Sequence, residues 1–528
     1  MQLSNVDYAD IQGLVRFGHS HLKAARFFLL NIANADAARA WLAAAPVTTA
    51  VDCTALDPAR LTEPPERGEP PKPKAAHERK LPDHALQVAF TCKGLAELGL
   101  SERILEEFSA EFIDGMVEGS RSRRLGDVGR NDPKGWKWGG AGATLHVLVL
   151  IFAATAERLE EWQRELQAQF WATAFSESYP ALSTVDLDGF EPFGFRDGIS
   201  QPELDWERSK PARLEITRDY TNVAALGEFL LGYPNEYGKY TDRPLLDPGD
   251  DPQRSLPLAE DQPGKRDLGR NGTYLVVRDL VQDVAGFRRY VDEQAQHDPK
   301  KGAELAHAMV GRKMNGDPIV PLHNKAIAGV AQQEDEGKRM EDLWRNQFTF
   351  DEDPDGTACP FGAHIRRANP RNADLPAGTR GPIAWLMRTL GFGGKTPRDD
   401  VIASTRFHRI LRRGREYGPE DTPEGKEQGL RFICLNANIS RQFEFIQTSW
   451  LANPKFDGTD EGDPLLGNRE PPWAKGATNT FTRPQDSGLN CRIADLQQFV
   501  TVRGGGYFFM PGISALRYLA RAPRKPWP

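Results

Sequence analysis

Three short segments of the chain contain residues that could move protons or hold a metal. Residues 193–202 (FGFRDGISQP) place Asp197 between an arginine and a glycine, and residues 359–371 (CPFGAHIRRANPR) place His364 after Phe-Gly-Ala. Residues 406–418 (RFHRILRRGREYG) contain several arginines before a glycine and a tyrosine. A carboxylate can exchange protons, an imidazole can bind a metal, and a guanidinium can stabilise negative charge. These three segments are therefore the candidates for a site.

Each segment also has a purely structural interpretation, which the residues alone leave open. Asp197 can accept backbone N–H bonds in a turn. A lone histidine beside arginines, as at His364, is often a surface residue or one whose hydrogen bonds are satisfied. The arginines of residues 406–418 can form a solvated helix end, where cations complement the helix dipole.

Two glycine-rich patterns do not predict nucleotide binding. GFGGKT at residues 391–396 ends like a phosphate-binding loop, but Thr389 stands where its first glycine should be. The triple glycine Gly504–Gly506 lacks the spacing of a dinucleotide-binding loop. It predicts instead that a strand approaches a flat ligand or another backbone closely.

The elements that must position these residues alternate between strands and helices. In the first half, the three- and four-residue spacing of Leu22, Ala25, Phe28 and Leu29 predicts an amphipathic helix. The Pro-rich residues 64–82 predict a surface loop. Residues 84–99 read as a strand, a turn at Lys93-Gly94 and a helix, and residues 145–166 as an apolar strand followed by a charged amphipathic helix.

Beyond Pro202 the pattern changes and then resumes. Residues 231–270 have no period and predict a long ordered loop, whereas residues 272–296 repeat the strand-then-helix pattern. Further strands are predicted within residues 430–438 and 507–512, with a helix after the first. This alternation predicts an α+β protein of two ferredoxin-like domains, antiparallel sheets with packed helices. The predicted division is a first domain at 1–200, a loop-rich connection at 201–268 and a second domain at 269–528.

Composition is ordinary for a globular protein and restricts the partners. The chain has 528 residues, enough for two domains. Its formal net charge of -7 argues against a mainly electrostatic interaction with nucleic acid or with anionic membrane, either of which needs a basic excess. The apolar run Leu145–Thr155 is much shorter than the ~20 residues that span a bilayer. We expect neither a nucleic-acid nor a membrane partner.

Cysteine usage and the first residues predict a cytoplasmic protein. The five cysteines are odd in number, far apart and without a CxxC pair, which predicts reduced thiols, mostly buried, rather than disulfides or a zinc site. The first thirteen residues carry acids and no apolar core, so they do not predict a secretory signal.

The three candidate segments, in this order, resemble the motifs of the dye-decolorizing peroxidase family. Those motifs are a GxxDG segment, an AHIR-type segment with a haem-binding histidine, and an arginine before a glycine and a tyrosine. Here they are GFRDG at 194–198, AHIRRANPR at 363–371 and ILRRGREYG at 410–418. The resemblance runs from DIQG near the start to RGGGYFFMPG at 503–512, with long insertions as in the larger bacterial members.

The resemblance implies a dimeric-ferredoxin-like fold with one haem b per chain, held mainly by the second domain. It assigns His364 as the axial iron ligand, Asp197 as the acid–base residue and Arg412, rather than the adjacent Arg413, as the residue that stabilises developing charge. It also assigns Leu430 and Phe432 to the apolar lining of the distal side. Arg366 is expected to contact a haem propionate.

The implied activity is reduction of hydrogen peroxide to water with oxidation of aromatic, dye-like or phenolic donors. Because an unperturbed Asp ionises near pH ~3.9, an Asp base predicts an acidic optimum. The partners are then peroxide and a small aromatic donor; the oligomeric state stays open, with a homo-oligomer as one alternative. One alternative is a protein that stores haem or releases iron from it, which needs His364 but no distal acid. Another is a ferredoxin-like binding or assembly protein without a cofactor, which would purify colourless. Packaging as cargo of a protein shell also stays open.

Two further details of the site are left open by the sequence. Many members of the family place an acid against Nδ1 of the axial histidine, which raises its basicity. Alignment on GGGYFF puts Gln498 at that position, with Asp495 close enough to substitute. Tyr417, Trp450 and Tyr507 are candidates for radical sites that oxidise bulky donors, although aromatic core packing also explains each of them.

Overall fold

The computed structural model describes most of the chain. The described residues are 6–52, 81–208, 222–320, 345–346, 348–350, 353–371, 404–422, 425–469 and 478–521. The predicted Pro-rich loop, apart from its last two residues, and the GFGGKT segment lie outside these ranges.

The first half of the chain forms four antiparallel strands covered by helices. Its elements are α1 (Leu14–Phe17), β1 (Ala24–Ile32), α2 (Ala35–Ala44), β2 (His84–Phe90), α3 (Cys92–Glu97), α4 (Glu102–Leu105), α5 (Ala110–Asp114), α6 (Gly119–Arg124), β3 (Val147–Ala153), α7 (Ala156–Gln167), α8 (Trp171–Ala174) and β4 (Phe175–Ser183). The strand order β2-β3-β1-β4, with a helix after β1 and another after β3, is that of a ferredoxin-like unit.

A connection with little regular structure follows. It contains two-stranded pairings of β5 (Glu203–Leu204) with β6 (Val223–Ala224) and of β7 (Leu245–Leu246) with β8 (Arg266–Asp267). The expected long ordered loop is therefore present, with one short ribbon inside it.

The second half repeats the same topology. Its elements are β9 (Thr273–Gln282), α9 (Val284–Gln294), α10 (Pro299–Val310), α11 (His364–Ala368), β10 (Leu411–Arg412), β11 (Arg415–Thr422), β12 (Gly425–Asn436), β13 (Phe481–Arg483), β14 (Cys491–Ile493), β15 (Val500–Met510) and α12 (Ile513–Arg521), with π-helical stretches at Ser440–Glu444 and Ile446–Leu451. β10 and β11 both pair with β12, which is followed by β9 and β15.

One pairing joins the two halves into a single sheet of nine strands. Phe509 of β15 lies opposite Phe90 of β2. The predicted α+β fold of two ferredoxin-like units is confirmed. The proposed boundaries after residues 200 and 268 stay a prediction.

The helix predicted through residues 22–29 is wrong, because Ala24–Ile32 is strand β1. Phe27 packs in the core on one face of the sheet and Phe28 in the core on the other. A strand buried on both faces is apolar at nearly every position, so it also satisfies the spacing of a helix. The helix begins only after Asn34, whose side chain accepts a hydrogen bond from an amide of the first turn.

The turn predicted at Lys93-Gly94 is also wrong, since both residues lie in α3. The hydroxyl of Thr91 caps this helix by accepting the Gly94 N–H. A Cβ at Gly94 would lie 2.1 Å from the carbonyl oxygen of His146. The glycine therefore permits a close approach to a strand rather than a turn.

The triple glycine also permits a close approach. A Cβ at Gly504 would lie 2.5 Å from the ring of Trp138, and a Cβ at Gly139 would lie 2.1 Å from the carbonyl oxygen of Gly505. Of the two partners that the sequence left open, the structure shows another backbone segment, bridged to β15 at Trp138 and Gly504.

Cys359 and Cys434 are buried, Cys92 is half-buried and Cys491 is exposed, and these four described cysteines are free thiols. Within the described ranges, no helix has the length and apolar character to cross a membrane.

Candidate active site

The three predicted segments meet at one cavity, which is lined mostly by the second half of the chain. One wall is the sheet, where Leu430 and Phe432 of β12 face the cavity. Ile365 of α11 and Ile446 of the π-helical stretch also line it. An apolar space between a sheet and helices is suited to a flat, largely apolar ligand with a few polar contacts.

Asp197 reaches the cavity on the segment that follows the first ferredoxin-like unit. The preceding chain is tied to the second half by a bridge between Val185 and Glu416 and by the Arg196 N–H bond to the Met314 carbonyl. The glycine after Asp197 has φ +84°, a left-handed conformation that turns the chain sharply. The long connection thus brings an acid from one unit over the sheet of the other.

Asp197 forms an ion pair with Arg412, as the resemblance implies for two residues of one site. Nη1 of Arg412 lies 2.9 Å from Oδ1 of Asp197, and the two side chains are 31% and 33% exposed. The Arg412 amide is fixed in turn by Oε1 of Gln201 at 3.0 Å. Both charged groups are therefore held at the cavity wall but remain accessible from inside it.

The structure separates Arg412 from the neighbouring Arg413. Arg412 pairs with Cys434 across β10 and β12 and lines the cavity. Arg413 points to the other face, where its guanidinium donates to the carbonyl oxygens of Leu14 and Val15 at 2.8 and 3.0 Å. Of these two adjacent arginines, Arg412 therefore lines the cavity and Arg413 does not.

The electrostatic environment favours an ionised Asp197. Burial raises the pKa of this carboxyl, but the charge and hydrogen bond of Arg412, together with the N–H of Gly198, lower it below its ordinary value. Asp197 is thus ionised, and can accept a proton, even in moderately acidic solution.

His364 begins helix α11 and presents its imidazole to the same cavity. Its Nδ1 lies 2.9 Å from Oδ2 of Asp463, while Nε2 has no hydrogen-bond partner among the described residues. Although burial lowers the pKa of His364, the Asp463 carboxylate raises it on balance. The Asp463 partner therefore fixes a tautomer in which Nε2 is a basic, available ligand.

The expected partner of Nδ1, Gln498 or Asp495, is wrong. Gln498 donates to Oδ1 of Asn131 and to the carbonyl oxygen of Val500, and Asp495 is exposed in a loop. The partner is Asp463, whose side chain has no exposed surface and whose other oxygen accepts two backbone N–H bonds. Nδ1 of His364 therefore faces a carboxylate rather than the neutral amide that Gln498 would supply.

Arg366 does not line the cavity, contrary to the propionate contact expected for it. Its Nη1 donates to Oδ2 of Asp353 at 2.9 Å and to the carbonyl oxygen of Cys359 at 2.7 Å, and the side chain is fully buried. Arg367 is also buried and donates to the carbonyl oxygens of Trp450 and Glu461. These arginines attach the short helix of His364 to its surroundings.

Three aromatic residues considered as radical sites are buried. Tyr417 packs under the guanidinium of Arg431, and the hydroxyl of Tyr507 donates to Glu444. Trp450 lies in the π-helical stretch Ile446–Leu451 and packs in an apolar cluster. Core packing describes all three better than a surface role.

The residues of the cavity fit haem. A single imidazole supplies one ligand, which suffices because a porphyrin supplies four ring nitrogens. The walls are apolar near Leu430 and Phe432, and the guanidinium groups of Arg312, Arg371 and Arg409 lie at the lining, where carboxylates of the porphyrin need partners. His364, the apolar walls and a cationic rim are the set that haem requires.

Sequence reasoning missed Asp463, Gln201 and Arg312. The segment Asp463-Pro-Leu-Leu carries a local signal, because an Asp that accepts the amides two and three residues later is a common capping arrangement. That pattern predicts that Asp463 is held in a turn, but it does not predict the contact with His364. For Gln201 and Arg312 no local signal exists.

Comparisons with known proteins agree with this architecture. Residues 10–184 match the family described as the DyP dimeric alpha+beta barrel domain. The chain is similar to the dye-decolorizing peroxidase msp1 of Mycetinis scorodonius (28% identical, covering 83% of this chain and 76% of the relative) and to the multifunctional dye peroxidase DyP2 of an Amycolatopsis species (27% identical, 82% of each). The fold resembles the crystal structure of a decolorizing peroxidase from Auricularia auricula-judae, with a TM-score of 0.67 at 22% identity over 98% of this chain and all of that one.

Proposed function

We propose that the chain is a member of the dye-decolorizing peroxidase family, which it resembles in sequence and fold, and that it reduces hydrogen peroxide to water and oxidises small aromatic compounds with one haem b per chain. The observation that carries this proposal is the convergence of His364 and the Asp197–Arg412 pair on one cavity. His364 would hold the haem iron through Nε2, and Leu430 and Phe432 would provide apolar contact.

Bound haem supplies the iron through which electrons pass from the donors to peroxide. Asp197 accepts a proton from one oxygen of hydrogen peroxide and returns it to the other, which leaves as water. Arg412 keeps Asp197 ionised and stabilises the negative charge that develops as the O–O bond breaks. Two donor molecules each give one electron and one proton, so that one peroxide yields two waters.

An aromatic donor is supported by the relatives. A structural neighbour is a dye-decolorizing peroxidase in complex with 2,6-dimethoxyphenol (TM-score 0.64, 22% identity). We extend that donor class to this chain. Homo-oligomerisation and a cytoplasmic location belong to the same proposal and rest on the fold class and on the sequence respectively.

Storage of haem, or release of its iron, is the second candidate. That function needs His364 alone, whereas an acid paired with a guanidinium at the cavity wall has no part in it. The pair therefore favours the enzyme.

The visible spectrum tests the proposal. Haem-loaded wild type and His364→Ala are compared before and after one equivalent of hydrogen peroxide. We expect a Soret band that depends on His364 and that changes within the mixing time, then returns when a phenol is added. A band indifferent to peroxide would overturn the peroxidase proposal, and the absence of a band would overturn haem binding as well.

A further inference from the structure

Asp197 is the last residue of a tight hairpin, residues 189–197. The Asp197 N–H donates to the carbonyl oxygen of Gly189 at 2.9 Å, and a β-bridge joins Phe190 to Arg196. A two-stranded hairpin of this size has too few cross-strand bonds to be stable by itself. The place of the Asp197 carboxylate in the cavity therefore depends on what holds the hairpin.

The carboxylate of Glu191 organises the tip of the hairpin. Oε1 accepts the Phe195 N–H at 2.9 Å, and Oε2 accepts the Phe193 N–H at 3.1 Å. Both phenylalanine rings are buried in the core. Apolar packing of this kind has no preferred direction, whereas hydrogen bonds do. Glu191 therefore fixes the shape of the tip, and a further bond is needed to fix its orientation to the sheet.

Gln282 connects this carboxylate to the sheet. Its Nε2 donates to Oε2 of Glu191 at 2.7 Å. A hydrogen bond to a carboxylate is charge-assisted and about twice as strong as one between neutral groups. Gln282 is the last residue of β9, which pairs with β12 on one side and with β15 on the other. The bond thus attaches the hairpin to a central strand, and both side chains line the cavity that Asp197 enters.

The surroundings of Gln282 are not those of a residue that serves stability alone. The side chain is only 6% exposed, and in the described part of the chain its Oε1 has no hydrogen-bond partner. A buried polar atom without a partner is unfavourable, and an apolar side chain of similar size would avoid that cost. What the amide provides, and an apolar side chain cannot, is the bond to Glu191.

We propose that Glu191 and Gln282 are positioning residues for the proton transfer by Asp197, because their hydrogen bond holds the hairpin in place over β9. This inference rests on the proposed function, which assigns that transfer to Asp197. Proton transfer requires the two heavy atoms to lie within hydrogen-bond distance. A displacement of about 1 Å can lower a rate by about 10²-fold. Loosening the hairpin should therefore slow the reaction with peroxide without unfolding the protein.

Gln282→Met removes the bond and keeps the length of the side chain. We expect haem-loaded Gln282→Met to react with peroxide about 10–100-fold more slowly than wild type. Hydrogen exchange of the amides of residues 189–197, followed by mass spectrometry, should be faster. The melting temperature should stay near that of wild type, because the unpaired buried oxygen is lost together with the bond.

The matched control is Gln163→Met. Gln163 lies on α7, where it bonds to Arg26 and Gln167 and not to the hairpin. Its replacement should leave both the rate and the exchange of residues 189–197 unchanged.

An exchange of the two side chains separates positioning from general stability. Glu191→Gln alone places two amides against each other and should react slowly. In the double variant Glu191→Gln/Gln282→Glu a carboxylate and an amide face each other again. We expect the double variant to react about tenfold faster than Glu191→Gln, the size of a direct interaction between two side chains.

Three results would overturn the inference. The first is a Gln282→Met protein that reacts at the wild-type rate. The second is a slower Gln282→Met protein in which the exchange of residues 189–197 is unchanged, since the effect would then arise elsewhere. The third is a double variant no faster than Glu191→Gln, a comparison that does not depend on whether Gln282→Met folds.

Failure of this inference is distinguishable from failure of the proposed function. Haem-loaded wild type that does not react with peroxide contradicts the proposed function. Wild type that reacts, while Gln282→Met reacts equally fast, contradicts only the positioning role of Glu191 and Gln282.

Discussion

Nδ1 of His364 lies 2.9 Å from the carboxylate of Asp463, a residue 99 positions later whose side chain is completely buried. Asp463→Asn keeps the size of the side chain but removes the charge that makes the imidazole a stronger electron donor. We expect the variant to bind haem with a higher iron reduction potential and an activity about 10–100-fold lower. Potentiometric titration followed in the visible spectrum measures the potential.

The matched control for this variant is Asp460→Asn. Asp460 lies in the same loop but is exposed and pairs with Lys455. Its replacement should leave the potential unchanged. An unchanged potential in Asp463→Asn would mean that the carboxylate only positions the ring.

Asp197→Asn tests the proton transfer assigned to this carboxylate. The amide oxygen can still accept the bond from Arg412, so the cavity should keep its shape, but it cannot take up a proton. We expect the rate of reaction with peroxide to fall by about 10²–10⁴-fold, while the Soret band of the resting protein stays the same. Stopped-flow mixing measures the rate. Asp186→Asn, a change at a partly exposed ion pair with Lys23 on the same connection, should react like wild type.

Much of this site can be predicted from local sequence, but some of its contacts cannot. Asp197, His364 and Arg412 each lie in a short motif, and their order along the chain is informative without a structure. The pairing of His364 with Asp463 joins distant positions, so only the tertiary fold reveals it. Arg366, which the resemblance places at a haem propionate, is instead buried against Asp353 and does not line the cavity, because the sequence does not show which guanidinium already has a carboxylate partner.

The fold shows the same limit. Strand β3 followed by the amphipathic helix α7 was predictable, because one face of the helix is charged and the strand is continuously apolar. Strand β1 was mistaken for a helix, because its two faces pack in different cores. A continuous apolar run has no periodicity that distinguishes a buried strand from a helix.

Arg412→Leu should shift the pH dependence of the reaction with peroxide. Asp197 works as a base in its ionised form, and Arg412 holds its pKa below the ordinary ~3.9. Wild type should therefore stay active in moderately acidic solution and lose activity only as the pH falls through this lowered pKa. Without Arg412 burial raises the pKa, so the loss should begin at higher pH. Rates of the reaction with peroxide across the acidic range measure the shift.

The neighbouring arginine provides the comparison. Arg413→Leu removes the bonds to the Leu14 and Val15 carbonyls on the other face of the strand. It should lower the melting temperature but leave unchanged the pH at which the reaction with peroxide is lost on acidification. If the pH at which activity is lost rose equally in both variants, the shift could not be assigned to the Asp197–Arg412 pair.

Gly504→Ala tests the close approach of β15 to the segment of Trp138. The new Cβ would lie 2.5 Å from the indole ring, which is buried and cannot move away freely. We expect a loss of about 1–3 kcal/mol, the usual cost of overpacking. Gly249→Ala is the control, since nothing lies within 4 Å of its Cβ position. Calorimetric melting of both proteins should show a lower melting temperature only for Gly504→Ala.

Arg366→Met tests the propionate contact expected for this residue against the buried ion pair that the structure shows. The substitution leaves the buried carboxylate of Asp353 without its cation, and breaking such a pair costs about 3–5 kcal/mol. We therefore expect a clearly lower melting temperature. The rates at which haem and haem dimethyl ester, whose carboxylates are uncharged, are lost to excess apomyoglobin should keep the ratio they have in wild type, because Arg366 does not line the cavity. A variant that released haem and its ester at equal rates, where wild type does not, would show that the expectation from the sequence is right and that Arg366 reaches a propionate.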